Sequence, residues 1–390
     1  MAPGKEIRET QVRTTFDPTM KVFQPVRLAG LDLQSRIVMA PMTRYQAGED
    51  CAPTAAGAAY YARRAEEGVG LIISEGTLIN DSGKVGGPGE VPVFFGEKPL
   101  QGWKAVVDAI HAKKGAFFPQ LWHCGRFAAK PVGPMACPVP GYQGLPSGSP
   151  NTNVVALSPD QIEALVAEYV KAAVAAKEMG CDGVEIHGAH GYLLCSFLCP
   201  DTNKRTDEYG GTQQNRMRFP LQVVRAIRAA VGPHFPISFR FSQWRLDDFS
   251  AKKFKTSEEL ATFLRALQEN GATIVHASTY EIMTPAFPEE DPTRTLAEWC
   301  KLLSGGGLVV IGVGKITIGA SFMDSLFQGS YTTVSSPAPA FQLIEDDKFD
   351  LLAVGRALIA CPSWISTLKT KGLETIPPFH KSMLEKWPNL

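Results

Sequence analysis

Short apolar runs rich in β-branched residues alternate along the chain with longer amphipathic stretches. Each short run has the length of a β-strand, and the stretches between the runs carry apolar residues at helical spacing. Strands that alternate with helices in this way are typical of a parallel sheet covered by helices. We predict eight strands, over residues 36–40, 70–75, 116–121, 183–187, 236–241, 273–277, 308–311 and 350–354.

The helical stretches carry their own start and stop signals. The clearest helix is predicted over 158–179, where Ser158 can cap the N-terminus, Pro159 suits the first helical position and Gly180 ends the pattern. Further helices are predicted over 54–67, 216–231 and 257–270, each followed directly by a glycine.

Eight strand–helix units indicate a closed (β/α)8 TIM barrel. An open doubly wound sheet is the alternative, but no Gly-x-Gly-x-x-Gly motif follows the first strand. A bare barrel needs about 250 residues, so we expect one domain over 1–390, with a flexible N-terminal extension over 1–20 and long loops. The surplus falls in 130–156, 242–256, 279–298 and 319–340, which all follow the C-terminal ends of strands, where barrel enzymes build their sites.

The composition of the chain limits the kinds of partner that we expect the protein to bind. The 390 residues carry 39 Lys and Arg against 39 Asp and Glu, and 44% of them are apolar, as in packed globular proteins. A formal net charge of zero provides no general attraction for phosphate backbones, so we expect no nucleic-acid partner. No uninterrupted apolar run reaches about 18 residues, so we expect no membrane-spanning helix. The balanced charge is compatible with a monomer or a homodimer.

The eight cysteines form no Cys-x-x-Cys pair, which argues against an iron–sulfur cluster or a structural zinc site. Reduced thiols fit a cytoplasmic protein. The N-terminal segment contains Glu6 and Glu9 and lacks an apolar core, which argues against a secretory signal. We therefore expect a cytoplasmic location and no bound metal.

Glycines and cations follow the last two predicted strands. Gly312, Gly314 and Lys315 come after the seventh strand, and Gly355 and Arg356 come after the eighth. Barrel enzymes often hold a phosphate between these two loops, because glycines let the backbone approach the anion and arginine can bind it through two parallel hydrogen bonds. Turn glycines beside a solvent-exposed arginine are the alternative interpretation.

Two histidines and a tyrosine follow the fourth strand. His187 and His190 are three residues apart, and their ring N–H groups can converge on one substrate oxygen. Tyr192 can donate a proton, since an ordinary tyrosine pKa of about 10 suits protonation of a strongly basic carbanion. A metal site would need three or four ligands, with His123 and His276 as further candidates. Histidines buried for structural reasons are the remaining alternative.

Five segments together resemble the Old Yellow Enzyme family, which comprises flavin-dependent ene-reductases built on a (β/α)8 barrel. The resemblance extends over roughly residues 20–370, and its most specific part runs from His187 through Tyr192 to the Asn203–Gly211 stretch. The segments, in chain order, are FQPVRLAGLDLQSRIVMAPMTRYQA, GLIISEGTLI, QLWHCGR, DGVEIHGAHGYLLCSFLCPDTNKRTDEYGG and FDLLAVGRALIACPSW.

The resemblance implies a tightly but non-covalently bound FMN. Pro41, Met42 and Thr43 would line the flavin ring, with the Thr43 hydroxyl bonded to its O4 edge. Gly76 would leave room for the ring, and the Gln120 amide would pair with its pyrimidine edge.

Cations would hold the rest of the cofactor. The resemblance implies that Arg240 lies near the N1/C2 region, where a fixed positive charge favours the reduced flavin. Gly314, Lys315, Gly355 and Arg356 would bind the FMN phosphate.

The resemblance also implies the reaction, which is reduction of an activated alkene. His187 and His190 would bind the carbonyl or nitro oxygen, hydride would pass from reduced FMN to the β-carbon, and Tyr192 would protonate the α-carbon. Tyr45 and Trp122 would contact the substrate. NADPH or NADH would act as a transient reductant in a ping-pong cycle, which needs no resident dinucleotide-binding domain.

The chain combines features of two branches of that family. The His-x-x-His form and Tyr45 match one branch, whereas Thr43 and Trp122 match the other. The loops 242–256 and 319–340 do not follow the family pattern, and we expect both to overhang the site. We expect Cys124 to be a bystander, because no neighbour in the sequence marks it as a thiolate; a redox-sensitive thiol close to Trp122 is the alternative. A phosphate-binding lyase or isomerase without flavin, and a flavin-binding sensor without turnover, are the alternative functions.

Overall fold

The computed structural model describes residues 14–48, 50–84, 90–138, 153–319, 331–385 and 387. Its strands, in chain order, are β1 (Val26–Leu28), β2 (Leu31–Leu33), β3 (Ile37–Met39), β4 (Leu71–Leu78), β5 (Ala116–Trp122), β6 (Val132–Gly133), β7 (Cys137–Pro138), β8 (Asn153–Ala156), β9 (Val184–His190), β10 (Ile237–Arg245), β11 (Ile274–Ser278), β12 (Val309–Val313) and β13 (Leu351–Val354).

Eight of these strands form a closed barrel, in the order β10-β11-β12-β13-β3-β4-β5-β9, and every pair within it is parallel. The prediction of a (β/α)8 barrel is thereby confirmed. The helices in the described residues are Ala55–Glu66, Glu97–His111, Pro159–Glu178, Leu193–Leu198, Gln213–Val231, Ser257–Glu269, Leu296–Leu303, Ala338–Glu345, Arg356–Ala360 and Trp364–Thr370.

The barrel core consists of two apolar layers, because successive residues of a strand point to opposite faces. On β3, Ile37 and Met39 pack in the layer beneath the helices, while Val38 packs inside the barrel. The β1–β2 hairpin adds Leu31 and Leu33 to the inner layer. Apolar residues therefore fill the interior, and the polar groups needed for chemistry are carried at the strand ends.

Three strands extend at least three residues further than the sequence pattern predicted. β4 continues to Leu78, β9 to His190 and β10 to Arg245, so residues predicted to start loops lie in the barrel wall. The register shifts between Ile73 and Gly76 in β4, and between Phe241 and Arg245 in β10. Bulges of this kind re-aim side chains at barrel rims, and polar residues there conceal the strand pattern in the sequence.

The helix predicted over 216–231 begins three residues earlier, at Gln213. The Thr212 hydroxyl accepts the Asn215 amide at 3.2 Å and so caps the N-terminus. The helix predicted from Ser158 has the expected cap, since the Ser158 hydroxyl accepts the Gln161 amide and the Gln161 side chain accepts the Ser158 amide.

The predicted extension and loops are described only in part. Residues 1–13 of the extension, 139–152 of the loop after β5 and 320–330 of the loop after β12 lie outside the described residues. Phe16 packs on the barrel exterior: its amide donates to the Leu368 carbonyl at 3.0 Å and its ring meets Phe341 edge-on at 5.2 Å. The loop after β5, predicted to be irregular, contains the small sheet β6-β8-β7.

None of the helices in the described part of the chain is both long and apolar enough to cross a membrane.

Candidate active site

A cavity of about 440 Å³ lies at the C-terminal ends of the barrel strands. Every residue that the resemblance assigned to the cofactor or the substrate lines this cavity, and these residues come from seven of the eight barrel strands or the segments that follow them. They are Pro41, Met42, Thr43, Tyr45, Gly76, Gln120, Trp122, His187, His190, Tyr192, Arg240, Gly314, Lys315, Gly355 and Arg356.

The strand order separates these residues into two groups. β12 and β13, which lead to Lys315 and Arg356, lie across the closed barrel from β5 and β9, which carry Gln120 and His187. An elongated ligand that reaches from the cation pair to the histidines must therefore cross the mouth of the barrel.

The histidines and aromatic rings on the β5–β9 side are in mutual contact. The ring centroids of His187 and His190 are 5.3 Å apart with the planes nearly perpendicular, and Tyr192 meets His187 edge-on at 4.9 Å. Trp122 stacks against His187 at 6.0 Å and contacts Tyr192 at 4.9 Å. Tyr192 directly precedes the helix Leu193–Leu198, whose start places its side chain beside the strand end.

Both histidines are neutral in this environment. Burial, and after it the neighbouring Arg240 cation, lowers the pKa of His187 and of His190 well below the ordinary histidine value. Lys253, which is itself buried, acts in the same direction. A neutral imidazole has one N–H and one acceptor nitrogen, so each ring can donate one hydrogen bond into the cavity.

A buried polar network lies beneath the cavity. Gln120 Nε2 donates to Glu185 Oε1 at 2.8 Å, Ser238 Oγ donates to Glu185 Oε2 at 3.0 Å, and His276 Nδ1 lies 2.8 Å from the same oxygen. Burial works against ionisation of Glu185, but these partners and Arg240 hold the pKa of its carboxyl below the ordinary value. Since its amide nitrogen is bound to Glu185, Gln120 can present its oxygen to a ligand.

Arg240 keeps its charge although it is buried. Burial lowers its pKa to about 10, and Glu185 opposes that shift, so the guanidinium is protonated at neutral pH. Its Nε has no hydrogen-bond partner within the residues that the structure describes. A buried donor of this kind is costly unless something bound in the cavity accepts from it.

The β12–β13 side of the cavity contains two cations and a tightly packed glycine. Burial lowers the pKa of Arg356 to about 10, which still leaves it charged, and Lys315 Nζ lies 3.6 Å from Glu281 Oε2. A Cβ at Gly314 would lie 2.5 Å from Thr279 Oγ1, so a side chain cannot be accommodated there. Together with the partnerless Nε of Arg240 and the amide of Gln120, these cations fit a ligand that carries both a phosphate and a polar ring, as FMN does.

Several cavity residues were not predicted from the sequence. Ser278 ends β11 and Thr279 follows it. Both come directly after the strand predicted over 273–277, so the rule that polar residues at strand ends are site candidates could have found them. Trp244 and Leu246 belong to a segment predicted as a loop; both line the cavity, as expected for an overhanging segment. The remaining unpredicted lining residues are Ala40, Tyr280, Val313, Ile316, Ile318, Ala353, Ile359, Phe379 and Leu384.

Other candidate groups lie outside the cavity. His123 is buried, its Nε2 is 3.0 Å from Ser82 Oγ, and burial lowers its pKa to about 3. Cys124 is fully buried, and burial raises the pKa of its thiol well above the ordinary value, which removes the thiolate needed for redox chemistry. Glu75 lies within β4, where its carboxylate accepts the Arg44 amide at 2.9 Å. No group of three or more His, Cys, Asp or Glu side chains in the described segments is arranged to hold a metal ion.

The chain is similar to known flavin enzymes over most of its length. Residues 21–375 match the model of the NADH:flavin oxidoreductase / NADH oxidase family. An NADH oxidase of Thermoanaerobacter brockii is 34% identical over 349 residues, or 88% of this chain, although the match covers only 50% of that longer protein. A 12-oxophytodienoate reductase 7 of Oryza sativa subsp. japonica is 33% identical over 89% of this chain and 87% of that one.

Solved structures agree with the sequence comparison. Morphinone reductase has a TM-score of 0.73 at 28% identity, covering 94% of this chain and 93% of its own. The Old Yellow Enzyme homologue of Zymomonas mobilis has a TM-score of 0.76 at 26% identity, covering 95% of this chain and 100% of its own. The chain therefore belongs to the NADH:flavin oxidoreductase family, also called the Old Yellow Enzyme family, and is an FMN-dependent oxidoreductase.

Proposed function

We propose that the protein uses NADPH or NADH to reduce the carbon–carbon double bond of α,β-unsaturated carbonyl or nitro compounds. The observation that carries the proposal is the convergence of two neutral imidazoles and a tyrosine on one cavity, across the barrel from a pair of cations. FMN, when bound, would supply the chemistry that transfers a hydride from the nicotinamide to the alkene.

Arg356 and Lys315 would hold the FMN phosphate, and Gln120 would pair with the polar edge of the flavin ring. Arg240 would face the part of the ring where negative charge collects on reduction. A cation already fixed in a buried site stabilises such charge without reorganisation, which is why its position favours the reduced state.

His187 and His190 would each donate one hydrogen bond to the carbonyl or nitro oxygen of the alkene. Negative charge develops on that oxygen when the β-carbon accepts hydride, so donors aimed at it stabilise the transition state more than the ground state. Neutral donors suit this role, because they bind the oxygen without transferring their proton to it.

Tyr192 would donate its phenolic proton to the α-carbon, which completes the addition of hydride and proton across the double bond. Its ring contacts both His187 and Trp122, so it lies next to the substrate position. Tyr45 is a less suitable acid, because burial raises its pKa to about 12. We assign Tyr45 and Trp122 to contacts with the substrate.

We further propose that the nicotinamide and the alkene occupy the cavity in turn, in a ping-pong cycle. One cavity holds both the residues assigned to FMN and those assigned to the alkene, and no dinucleotide-binding glycine motif follows the first strand.

The experiment that tests the proposal is an anaerobic absorbance titration of the purified protein. We expect a flavin spectrum that bleaches on addition of NADPH or NADH and returns on addition of cyclohexenone or 1-nitrocyclohexene. A flavin that bleaches but is not reoxidised by either alkene would contradict ene-reductase activity. A protein that cannot be reconstituted with FMN would contradict the assignment of the whole site.

The proton donor is tested with Tyr192→Phe, compared with Tyr45→Phe as a matched control in the same cavity. We expect Tyr192→Phe to slow flavin reoxidation by cyclohexenone by about 10²- to 10⁴-fold, the usual contribution of a general acid. Reduction by NADPH should change little, because it needs no proton from Tyr192. Stopped-flow absorbance resolves the two half-reactions. Equal reoxidation rates in the wild type and Tyr192→Phe would assign the proton to another donor.

A further inference from the structure

Ser278, at the end of β11, contacts His190 in the cavity. We propose that Ser278 is a positioning residue that holds His190 in the tautomer with its proton on Nδ1, and so determines which nitrogen faces the substrate. This inference rests on the proposed function, because it names the donor atom that His190 offers to the substrate oxygen.

Ser278 lies between a cation and the histidine. Its side chain is buried, with 2% of the residue exposed, and it lines the cavity. Its Oγ is 2.8 Å from His190 Nε2 and accepts a hydrogen bond from Arg240 Nη2 at 3.2 Å. The three groups therefore form a short chain from the cation assigned to the cofactor to the donor assigned to the substrate.

The direction of the hydrogen bonds in this chain follows from proton counting. Arg240 is protonated and can only donate, so the serine oxygen is an acceptor toward it. The hydroxyl has one proton left to donate, and His190 Nε2 is the acceptor within reach. The opposite tautomer would make the hydroxyl accept from both neighbours, and its own proton would have no acceptor in the contacts of the described residues. The Nδ1–H tautomer gives the serine hydroxyl both a donor, Arg240, and an acceptor, His190 Nε2.

His187 has the complementary tautomer. Its Nδ1 accepts the Ala189 amide at 3.3 Å, which leaves the proton on Nε2. The two nitrogens that carry protons, His187 Nε2 and His190 Nδ1, have no protein partner among the described residues, and both rings line the cavity. Opposite tautomers therefore give the cavity two donors from rings whose planes are nearly perpendicular.

The ring and backbone of His190 are restrained on other sides as well. The backbone adopts the left-handed region with φ 63°, which is unfavourable for a non-glycine residue, and Ser242 Oγ holds it by accepting the His190 amide at 2.9 Å. The indole of Trp244 stacks on the ring at 4.3 Å and 22°. Because the plane of the His190 ring is restrained in this way, the position of the ring proton is what can still vary, and Ser278 fixes it.

The test measures the tautomer directly by long-range ¹H–¹⁵N NMR of the purified protein with ¹⁵N-labelled histidine. The chain has seven histidines, and the signals of His190 are identified by their loss in His190→Asn. We expect the wild type to show a neutral Nδ1–H ring at His190. In Ser278→Ala we expect the Nε2–H form to become populated, while Ser278→Thr, which keeps the hydroxyl, should retain the wild-type pattern.

Ser242→Ala is the matched control, because it removes a serine that holds the His190 backbone rather than the ring. We expect it to leave the tautomer unchanged. A second readout is the binding of p-chlorophenol, followed by its charge-transfer absorbance with bound FMN. Loss of one oriented hydrogen bond should weaken binding about three- to ten-fold in Ser278→Ala, with recovery in Ser278→Thr.

Two results would overturn the inference: an Nε2–H ring at His190 in the wild type, or an unchanged tautomer in Ser278→Ala. If Ser278 had only a structural role, Ser278→Ala would weaken phenol binding without changing the tautomer of His190. The NMR measurement therefore distinguishes the two roles. Neither measurement requires turnover of an alkene. Loss of ene-reductase activity with the expected tautomers would therefore reject the proposed function and leave the role of Ser278 in orienting His190 in place.

Discussion

Burial changes the charge that individual side chains carry around the cavity. His187 and His190 are neutral because a buried imidazolium beside Arg240 would be costly, whereas the pKa of Arg240 at about 10 leaves the guanidinium charged at neutral pH. The result is a site with neutral donors backed by a fixed cation, which suits a substrate oxygen that gains negative charge. The carboxyl of Glu75 is close to its titration point at neutral pH, since burial raises its pKa to about 7.

Glu75 should make stability depend on pH. In the unfolded chain a glutamate titrates near pH 4.3, so between about pH 4.3 and 7 the folded state binds more protons than the unfolded state. The free energy of unfolding contributed by Glu75 therefore falls as the pH rises through this window, by up to about 4 kcal/mol. We expect Glu75→Gln to remove this contribution.

The measurement is urea unfolding of the wild type and Glu75→Gln at pH 5 and pH 7.5. The unfolding free energy of the wild type minus that of the variant should be larger at pH 5. Taking this difference removes the contribution of the histidines, which both proteins share. The same difference at both pH values would show that Glu75 titrates normally.

At the scale of elements, the extension of β10 past Arg240 shapes the wall of the cavity. The register shift between Phe241 and Arg245 places Ser242 against His190 and carries Trp244 to the rim. An ion-pair network anchors the segment that follows, since Arg245 Nε lies 3.3 Å from Asp247 Oδ1. Bulged strand ends thus orient residues that a regular strand would direct elsewhere.

The aromatic stack on this element should contribute to ligand affinity. Phe249, 37% exposed, stacks on Trp244 at 5.2 Å and 11°, and Trp244 in turn covers His190. Removing an aromatic partner costs about 0.5–1.5 kcal/mol, and a less restrained Trp244 must be ordered again when ligand binds. We expect Phe249→Ala to raise the dissociation constant of 2-naphthol about two- to ten-fold.

Leu302→Ala is the control for the Phe249 variant, because Leu302 is also an exposed apolar residue but lies on the helix Leu296–Leu303. Absorbance titration of each holoenzyme with 2-naphthol gives the comparison. Unchanged affinity in Phe249→Ala would show that the inner rings alone hold Trp244 in place.

At the scale of the whole molecule, closure of the barrel brings distant parts of the chain to one cavity. Thr43 and Arg356 are separated by most of the sequence, yet β3 and β13 are neighbours in the barrel. The C-terminal segment completes the wall with Phe379 and Leu384, and Arg44 Nη2 holds that segment by donating to the Met383 carbonyl at 3.0 Å.

Cofactor binding should stabilise the whole barrel, because a ligand that binds only the folded state adds its binding free energy to that of folding. We expect the flavin-free protein to have a lower Tm than the holoenzyme, and FMN to raise it more than riboflavin does. A phosphate site at Lys315 and Arg356 explains the difference, since riboflavin lacks the phosphate. At a free concentration about 100 times Kd, bound FMN contributes about 2.7 kcal/mol.

We expect Arg356→Ala to reduce the difference between the Tm measured with FMN and the Tm measured with riboflavin. Arg27→Ala is the control. Arg27 is an exposed arginine that forms an ion pair with Asp32 across the β1–β2 hairpin. Differential scanning calorimetry with each flavin measures the effect. If Arg356→Ala and Arg27→Ala gave the same preference for FMN over riboflavin, the phosphate would be bound elsewhere.

The periodicity of the sequence was sufficient to predict the eight strands and the closed barrel. Alternating burial and the requirement for helices over a parallel sheet are local properties that appear directly in the order of residues. The resemblance in five segments then supplied the residues around FMN and substrate, and all of them line the cavity.

The charge states, the tautomers and the unpredicted residues of the wall depend on contacts between elements far apart in the chain. Ser278 and His190 are 88 positions apart, and their hydrogen bond exists only because β9 and β11 both flank β10. The strand ends at β4, β9 and β10 were also placed too early, because the register shifts in β4 and β10, and because small or polar residues such as Gly188 and Ser242 interrupt the apolar strand pattern. Sequence pattern determines which residues form the barrel, whereas the depth of burial and the proximity of charges, which set the chemistry of each group, arise only when the barrel closes.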